Sequence, residues 1–154
     1  MSTSKERSAT LVHQFFEDVF TKGDRALAQE ILAPDFVYYG PDEGIHGIDN
    51  FFHIVNTMRD TLNIQFIPEV VIAEDEKTAA SLTTIRGEHE KNFRGFIPQG
   101  ARFSLSRIDA FLIVDGKIKE VRAVFDHQLM FQILQEGRQE DHSYRVTPAL
   151  VAQS

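Results

Sequence analysis

A chain of 154 residues, 42% hydrophobic and 25% charged, has the composition of one folded domain large enough to bury its own core. It has no cysteine, which excludes disulfides, thiolate ligands and a cysteine nucleophile. A formal net charge of -7 argues against sequence-independent nucleic-acid binding, which needs a cationic face to displace phosphate counterions.

The first apolar stretch, residues 11–20, is interrupted by His13, Gln14, Glu17 and Asp18, too polar for a signal peptide or a membrane span. A cytoplasmic protein without membrane engagement is expected. Within that stretch Leu11, Val12, Phe15, Phe16, Val19 and Phe20 recur at helical spacing. Thr3 and Glu6 have capping-box spacing and Gly23 suits a helix end, so one helix is predicted over residues 4–22. Asp24 can cap a short second helix carrying Leu27, Ile31 and Leu32, ending before Pro34. Phe36, Val37, Tyr38 and Tyr39 read as a brief strand, and Phe51, Phe52, Ile54, Val55 and Met58 as a third helix.

From Asn63 onward the pattern becomes one of strands, over 64–73, 78–88, 102–114 and 117–126. Asp115-Gly116 is the strongest hairpin signal, because such a turn needs positive φ. A final helix over 127–135 closes the pattern. Helices first and a run of strands after them imply an α+β fold, a curved antiparallel sheet wrapped around the N-terminal helices. One domain, 1–137, and a polar tail, 138–154, are expected, the tail mobile.

Several strings resemble the superfamily named after nuclear transport factor two and, within it, the SnoaL-like polyketide cyclases. They are Phe15-Phe16 with Lys22-Gly23-Asp24, Leu32-Ala33-Pro34-Asp35-Phe36 and Ile45-His46-Gly47. Further along come Gly87-Glu88-His89, Phe93-Arg94-Gly95, Pro98-Gln99-Gly100, Asp115-Gly116-Lys117-Ile118 and Phe125-Asp126. The resemblance covers roughly residues 8–135 and implies a cone-shaped α+β barrel with a closed apolar pocket. It also implies a homodimer formed through the outer sheet face.

Asp126, flanked by apolar residues where the last strand meets the final helix, is the first catalytic candidate. In an apolar pocket its pKa would rise and suit it to acid–base work; otherwise it caps the helix. Its position matches the aspartate that the cyclases use to protonate a carbonyl oxygen. His89, in the string matching the family's Gly-Thr-His-like motif, can orient a carbonyl or relay a proton, or be a strand-end histidine. Arg107 and Asp109 alternate on one strand face and Arg122 and Asp126 on the next, so the pocket could hold two acid–base pairs or the strands two structural ion pairs. The string around Asp109 resembles that of ketosteroid isomerases, but their general-base position falls on Gly40 and their oxyanion tyrosine on Phe16. In a likeness to limonene-epoxide-hydrolase-like proteins, Arg86 and Glu88 stand for an Arg-x-Asp, Asp126 completes the site and Tyr38 matches a water-positioning tyrosine.

Of the thirteen phenylalanines most belong to the core, with Phe16, Phe20, Phe51, Phe93, Phe96 and Phe125 as pocket-lining candidates. The loop 91–100 is either a lid or an ordinary connection. Six histidines form no close-spaced ligand pair, and no phosphate-cradling or dinucleotide glycine motif is present, so no metal and no cofactor are expected. The function expected is a cofactor-free cyclase or isomerase of a small hydrophobic, polyketide-like carbonyl compound. Asp126 would shuttle the proton while His89 or Arg122 polarises oxygen. A non-catalytic binding or dimerisation module and an epoxide hydrolase are the alternatives.

Overall fold

The computed structural model describes residues 3–41 and 43–143. Helix α1 (Ser4–Gln14) starts as predicted, the Thr3 hydroxyl accepting from the Glu6 amide at 3.1 Å. The chain then widens into a π-helical segment, Phe15–Thr21, in place of the uniform helix expected to residue 22. Phe15, Phe16, Val19 and Phe20 are all fully buried on it. Thr21 closes the wide turn, donating to the Phe16 carbonyl at 2.7 Å and accepting from the Phe66 amide at 2.9 Å. Asp24 caps α2 (Arg25–Ile31) through the Leu27 amide at 3.0 Å.

The rest of the fold is β1 (Leu32–Tyr39), β2 (Ile45–His46), α3 (Ile48–Leu62), β3 (Gln65–Ala73), β4 (Thr78–Glu88), β5 (Arg102–Val114), β6 (Lys117–Val124), α4 (His127–Glu136) and β7 (Gln139–His142). One sheet runs in the order β2-β1-β6-β5-β4-β3, with β7 added to β5. It is mixed rather than wholly antiparallel. β1 lies parallel to β6 and β7 parallel to β5, because both reach their partners from helices and not through hairpins. The β5–β6 hairpin turns at Asp115 and Gly116, at φ 50° and 75°.

The sequence places 138–154 in a tail, yet β7 takes four of those residues into the sheet. Gln-Glu-Asp-His has no apolar alternation to announce a strand. Its pairing is a backbone matter: β7 fills the edge of β5 from Arg102 to Leu105, which β6 leaves uncovered by ending opposite Ile108. The chain end at 144–154 lies outside the described residues.

The sheet curls around α1, the π-helical segment and α3 as an open cone. Its inner face carries Phe66, Ile85, Phe103, Leu105, Phe111 and Val121, packed on Phe15, Phe16, Phe20, Phe36, Phe51 and Phe52. Rings in this layer meet edge-on or stacked, such as Phe15 on Phe51 at 5.5 Å and Phe16 on Phe111 at 5.8 Å. Among the described residues, no helix is long and apolar enough to cross a membrane.

Candidate functional site

Strand alternation along β5 sends Arg107 and Asp109 into this aromatic interior, where their side chains are 1% and 0% exposed. Isolated charges there would each cost several kcal/mol, roughly, so the pairing must be close. Arg107 Nε donates to Asp109 Oδ1 at 2.7 Å and Nη2 to Oδ2 at 2.5 Å. The same Nη2 reaches the Tyr38 hydroxyl on β1 at 3.1 Å. The rings of Phe16, Phe20, Tyr38, Phe66 and Phe125 surround the guanidinium, with centroids 5.2–5.8 Å away. Burial alone would pull the Arg107 pKa down, but Asp109 and Tyr38 outweigh it and the net shift is upward. Arg107 is a fixed cation.

Burial pushes the Tyr38 phenol above its ordinary range, although Arg107 opposes it. Tyr38 is therefore neutral and keeps its proton. Its oxygen accepts from Arg107, and among the described residues the hydroxyl has no acceptor of its own. Its ring lines a cavity of about 280 Å³. The remaining wall comes from Phe20, Phe125, Ile54, Thr57 and Met58, from Met130 and Phe131 of α4, and from Phe93; Gly40, Pro41, Glu43, His53 and Arg94 also line it. Most of this wall is apolar, and of its polar side chains among the described residues Tyr38 is the buried one, whereas Glu43 and His53 are exposed.

The loop 91–100 contributes Phe93 and Arg94 to this wall. Phe93 and Phe96 exchange both backbone hydrogen bonds, at 3.1 and 2.8 Å, around Arg94 and Gly95, which have φ of 50° and 87°. Such a two-residue turn needs positive φ at both centres. It directs Phe93 into the cavity wall and leaves Phe96 stacked on Phe131 at 5.6 Å.

Several predicted site residues are placed elsewhere. Asp126 is exposed and caps α4, its Oδ1 accepting from the Leu129 amide at 2.9 Å, and it does not line the cavity. The dry carboxyl expected at this position is found at Asp109 instead. Arg122 is on the outer face, over the Tyr39 ring at 4.2 Å and 3.4 Å from Glu120 Oε2, so the inward Arg122–Asp126 pair is not formed. Arg86 and Glu88 also point outward, into a separate surface groove of about 560 Å³, where Glu88 pairs with Arg102 at 3.3 Å. Arg86, Glu88 and Asp126 thus share no site. Phe16 and Phe51 are core, one beneath Arg107 and the other 5.4 Å from the Tyr38 ring. Phe20, Tyr38, Phe93 and Phe125 line the cavity as expected.

His89 is 3% exposed and does not line the cavity, and among the described residues neither ring nitrogen has a hydrogen-bond partner. Its own amide donates to Ala101, while the amides of Glu90 and Lys91 donate to the Thr61 carbonyl, one helical turn beyond cavity-lining Thr57. Asp126, His89 and Asp109 do not converge on one point. The contributions of α3 and α4 to the wall escaped the sequence reading, since a helical apolar stripe does not distinguish core from cavity. Among the described residues no cluster of metal-ligating side chains occurs.

Comparison with known proteins places this architecture. A candidate SnoaL-like polyketide cyclase from Jannaschia sp. CCS1 superposes with a TM-score of 0.79 at 17% identity, over 88% of this chain and 96% of that one. A candidate polyketide cyclase from Xanthomonas campestris pv. campestris gives 0.78 at 21% identity, over 86% and 99%. An LEH-like epoxide hydrolase of M. tuberculosis shares the fold at a TM-score of 0.65 and 19% identity, over 86% and 92%. No curated protein matches the sequence. The family model for SnoaL-like polyketide cyclase matches residues 10–134. With most of its length inside that match, the chain belongs to the SnoaL-like polyketide cyclase family.

Proposed function

We propose that the cavity holds a small, mostly apolar carbonyl compound with its oxygen on the Tyr38 hydroxyl, and that the protein promotes its cofactor-free cyclisation or isomerisation. One observation carries this reading: a neutral phenol in the wall of an apolar cavity, its oxygen held by a buried Arg107–Asp109 pair and its proton uncommitted. A donor fixed in a low-dielectric site stabilises charge developing on a carbonyl oxygen without reorganising. The proton acceptor in this reading is a side chain of the same wall, Glu43 or His53.

The chemistry balances without an external reagent. Glu43 or His53, in the cavity wall, takes a proton from the carbon beside the carbonyl, and the C–H electron pair becomes an enolate stabilised by Tyr38. The enolate carbon either regains a proton at another position or attacks a second carbonyl of the same molecule. In the latter case the new C–C bond leaves an alkoxide, which receives the proton back from the same wall residue. Replacing Tyr38 by phenylalanine is expected to lower turnover by roughly 100-fold while ligand affinity changes less. Steady-state kinetics and calorimetric binding on the same variant check it; unchanged turnover overturns the assignment.

The alternative of a binding module draws support from the lack of convergence among Asp126, His89 and Asp109, and the same Tyr38 variant decides it. We also propose a homodimer through the outer sheet face. Ile72, Ile108 and Val124 are 64%, 59% and 71% exposed there. Ile108 lies opposite both Leu82 and Val124, and Ala80 lies between Ile72 and Ala110, so the apolar residues form a band across four strands.

A further inference from the structure

The turn between Phe93 and Phe96 holds an arginine where its backbone favours a different residue. Arg94 has φ 50° and Gly95 φ 87°, and a two-residue turn with both centres at positive φ is most easily made by Asn-Gly. A residue with a long side chain is disfavoured in this region, where asparagine and glycine are tolerated. Arg94 nonetheless forms part of the cavity wall. Its guanidinium carbon lies 5.6 Å from the centre of the Phe93 ring and 5.9 Å from that of Phe131, and both rings line the cavity. The turn is tied to its surroundings. The Asn92 side-chain oxygen accepts from the Gly95 amide at 3.1 Å, and Lys91 Nζ pairs with Asp60 of α3 at 2.9 Å. Tyr38 is buried and Arg94 is exposed, so the cavity offers a hydroxyl at its inner end and a cation at its mouth.

We propose that Arg94 anchors an anionic group at the cavity mouth, so that the compound taken up is a keto acid, its carboxylate on the guanidinium and its ketone oxygen on the Tyr38 hydroxyl. The ketone half rests on the reading of Tyr38 as the carbonyl donor; the acid half rests on Arg94. A guanidinium presents five N–H donors and matches a carboxylate with two parallel bonds, so it can hold a ligand beside partners within the protein. Glu43, an acidic residue of the same wall, repels a carboxylate from its own part of the mouth. The apolar remainder of the wall takes the body of the compound. A neutral amide forgoes the charge-assisted bonds, which at a solvent-exposed mouth are worth about 5-fold in affinity.

The experiment titrates the protein with naphthoylpropionate and naphthoylbutyrate, with the primary amide of each, and with naphthylbutyrate, which keeps the acid and lacks the ketone. The wild-type protein should bind at least one keto acid about 5-fold or more tighter than its amide, and the preference should shrink as salt rises. Arg94→Asn gives the turn its favoured Asn-Gly pair and removes the cation. Its melting temperature should hold or rise, while the keto acid weakens by about 5-fold and the amide stays within about 2-fold. Equal binding of acid and amide by the wild-type protein overturns the role of Arg94 and leaves the Tyr38 reading in place. An acid preference that survives in Arg94→Asn does the same. Equal binding of naphthylbutyrate and naphthoylpropionate, both weakened in Arg94→Asn, overturns the Tyr38 reading alone. Binding of none of the five compounds overturns both. Should Arg94→Asn fail to fold, Arg94→Gln, which keeps a longer stem, reads the same comparison.

Discussion

At the scale of single residues, three buried ionisable side chains, Arg107, Asp109 and His89, depart from the economy of a core. Arg107 and Asp109 answer their own burial by pairing with each other and with Tyr38. His89 does not: among the described residues its imidazole is enclosed without a partner, an arrangement that costs about 1–3 kcal/mol relative to an apolar residue of similar shape. Replacing His89 by leucine is therefore expected to raise the melting temperature. Calorimetry checks this; a fall in stability would show the imidazole to be a structural element. The sequence revealed that Arg107 and Asp109 share a strand face, since alternation is a period-two property. It could not reveal which face β6 turns inward at Arg122, nor that Asp126 ends as a cap. A carboxyl before a helix is equally suited to capping and to catalysis, and solvent exposure, which decides between them, is set by the whole fold.

Among elements, the π-helical segment couples the helical layer to the sheet. β3 is an edge strand, and an edge strand carries backbone donors that no neighbouring strand satisfies. Thr21 meets one of these, accepting from the Phe66 amide while its own hydroxyl donates to Phe16. Thr21→Val keeps the shape and removes both bonds, and should cost about 1–3 kcal/mol in chemical denaturation, with the buried Phe66 amide left unsatisfied. An unchanged denaturation midpoint would show that the segment holds without this link. Element boundaries were largely legible. The strands over 78–88 and 102–114 coincide with β4 and β5, and the caps at Thr3 and Asp24 are in place, because capping and alternation are local. The π-helical turn and β7 were not, because one depends on packing of four apolar side chains against the sheet and the other on a vacant backbone edge.

For the molecule as a whole, the open cone gives two apolar surfaces with different tasks. The inner one closes over aromatic rings except at the cavity beside Tyr38; the outer one leaves Ile72, Ile108 and Val124 in solvent. Ile108→Lys, placed at the centre of that outer band, should convert a dimer to a monomer in sedimentation analysis. A wild-type protein that is monomeric at high concentration contradicts the proposed face. Fold and family follow from patterns spread along the chain, whereas the site depends on which of many polar residues the curvature of the sheet turns inward. The account centres on a ligand carbonyl held by the Tyr38 hydroxyl, and the infrared stretch of that carbonyl reports on it directly. Bound methyl naphthyl ketone, labelled at the carbonyl carbon, should absorb at lower frequency in the wild-type protein than in Tyr38→Phe; the same frequency in both would contradict the central claim.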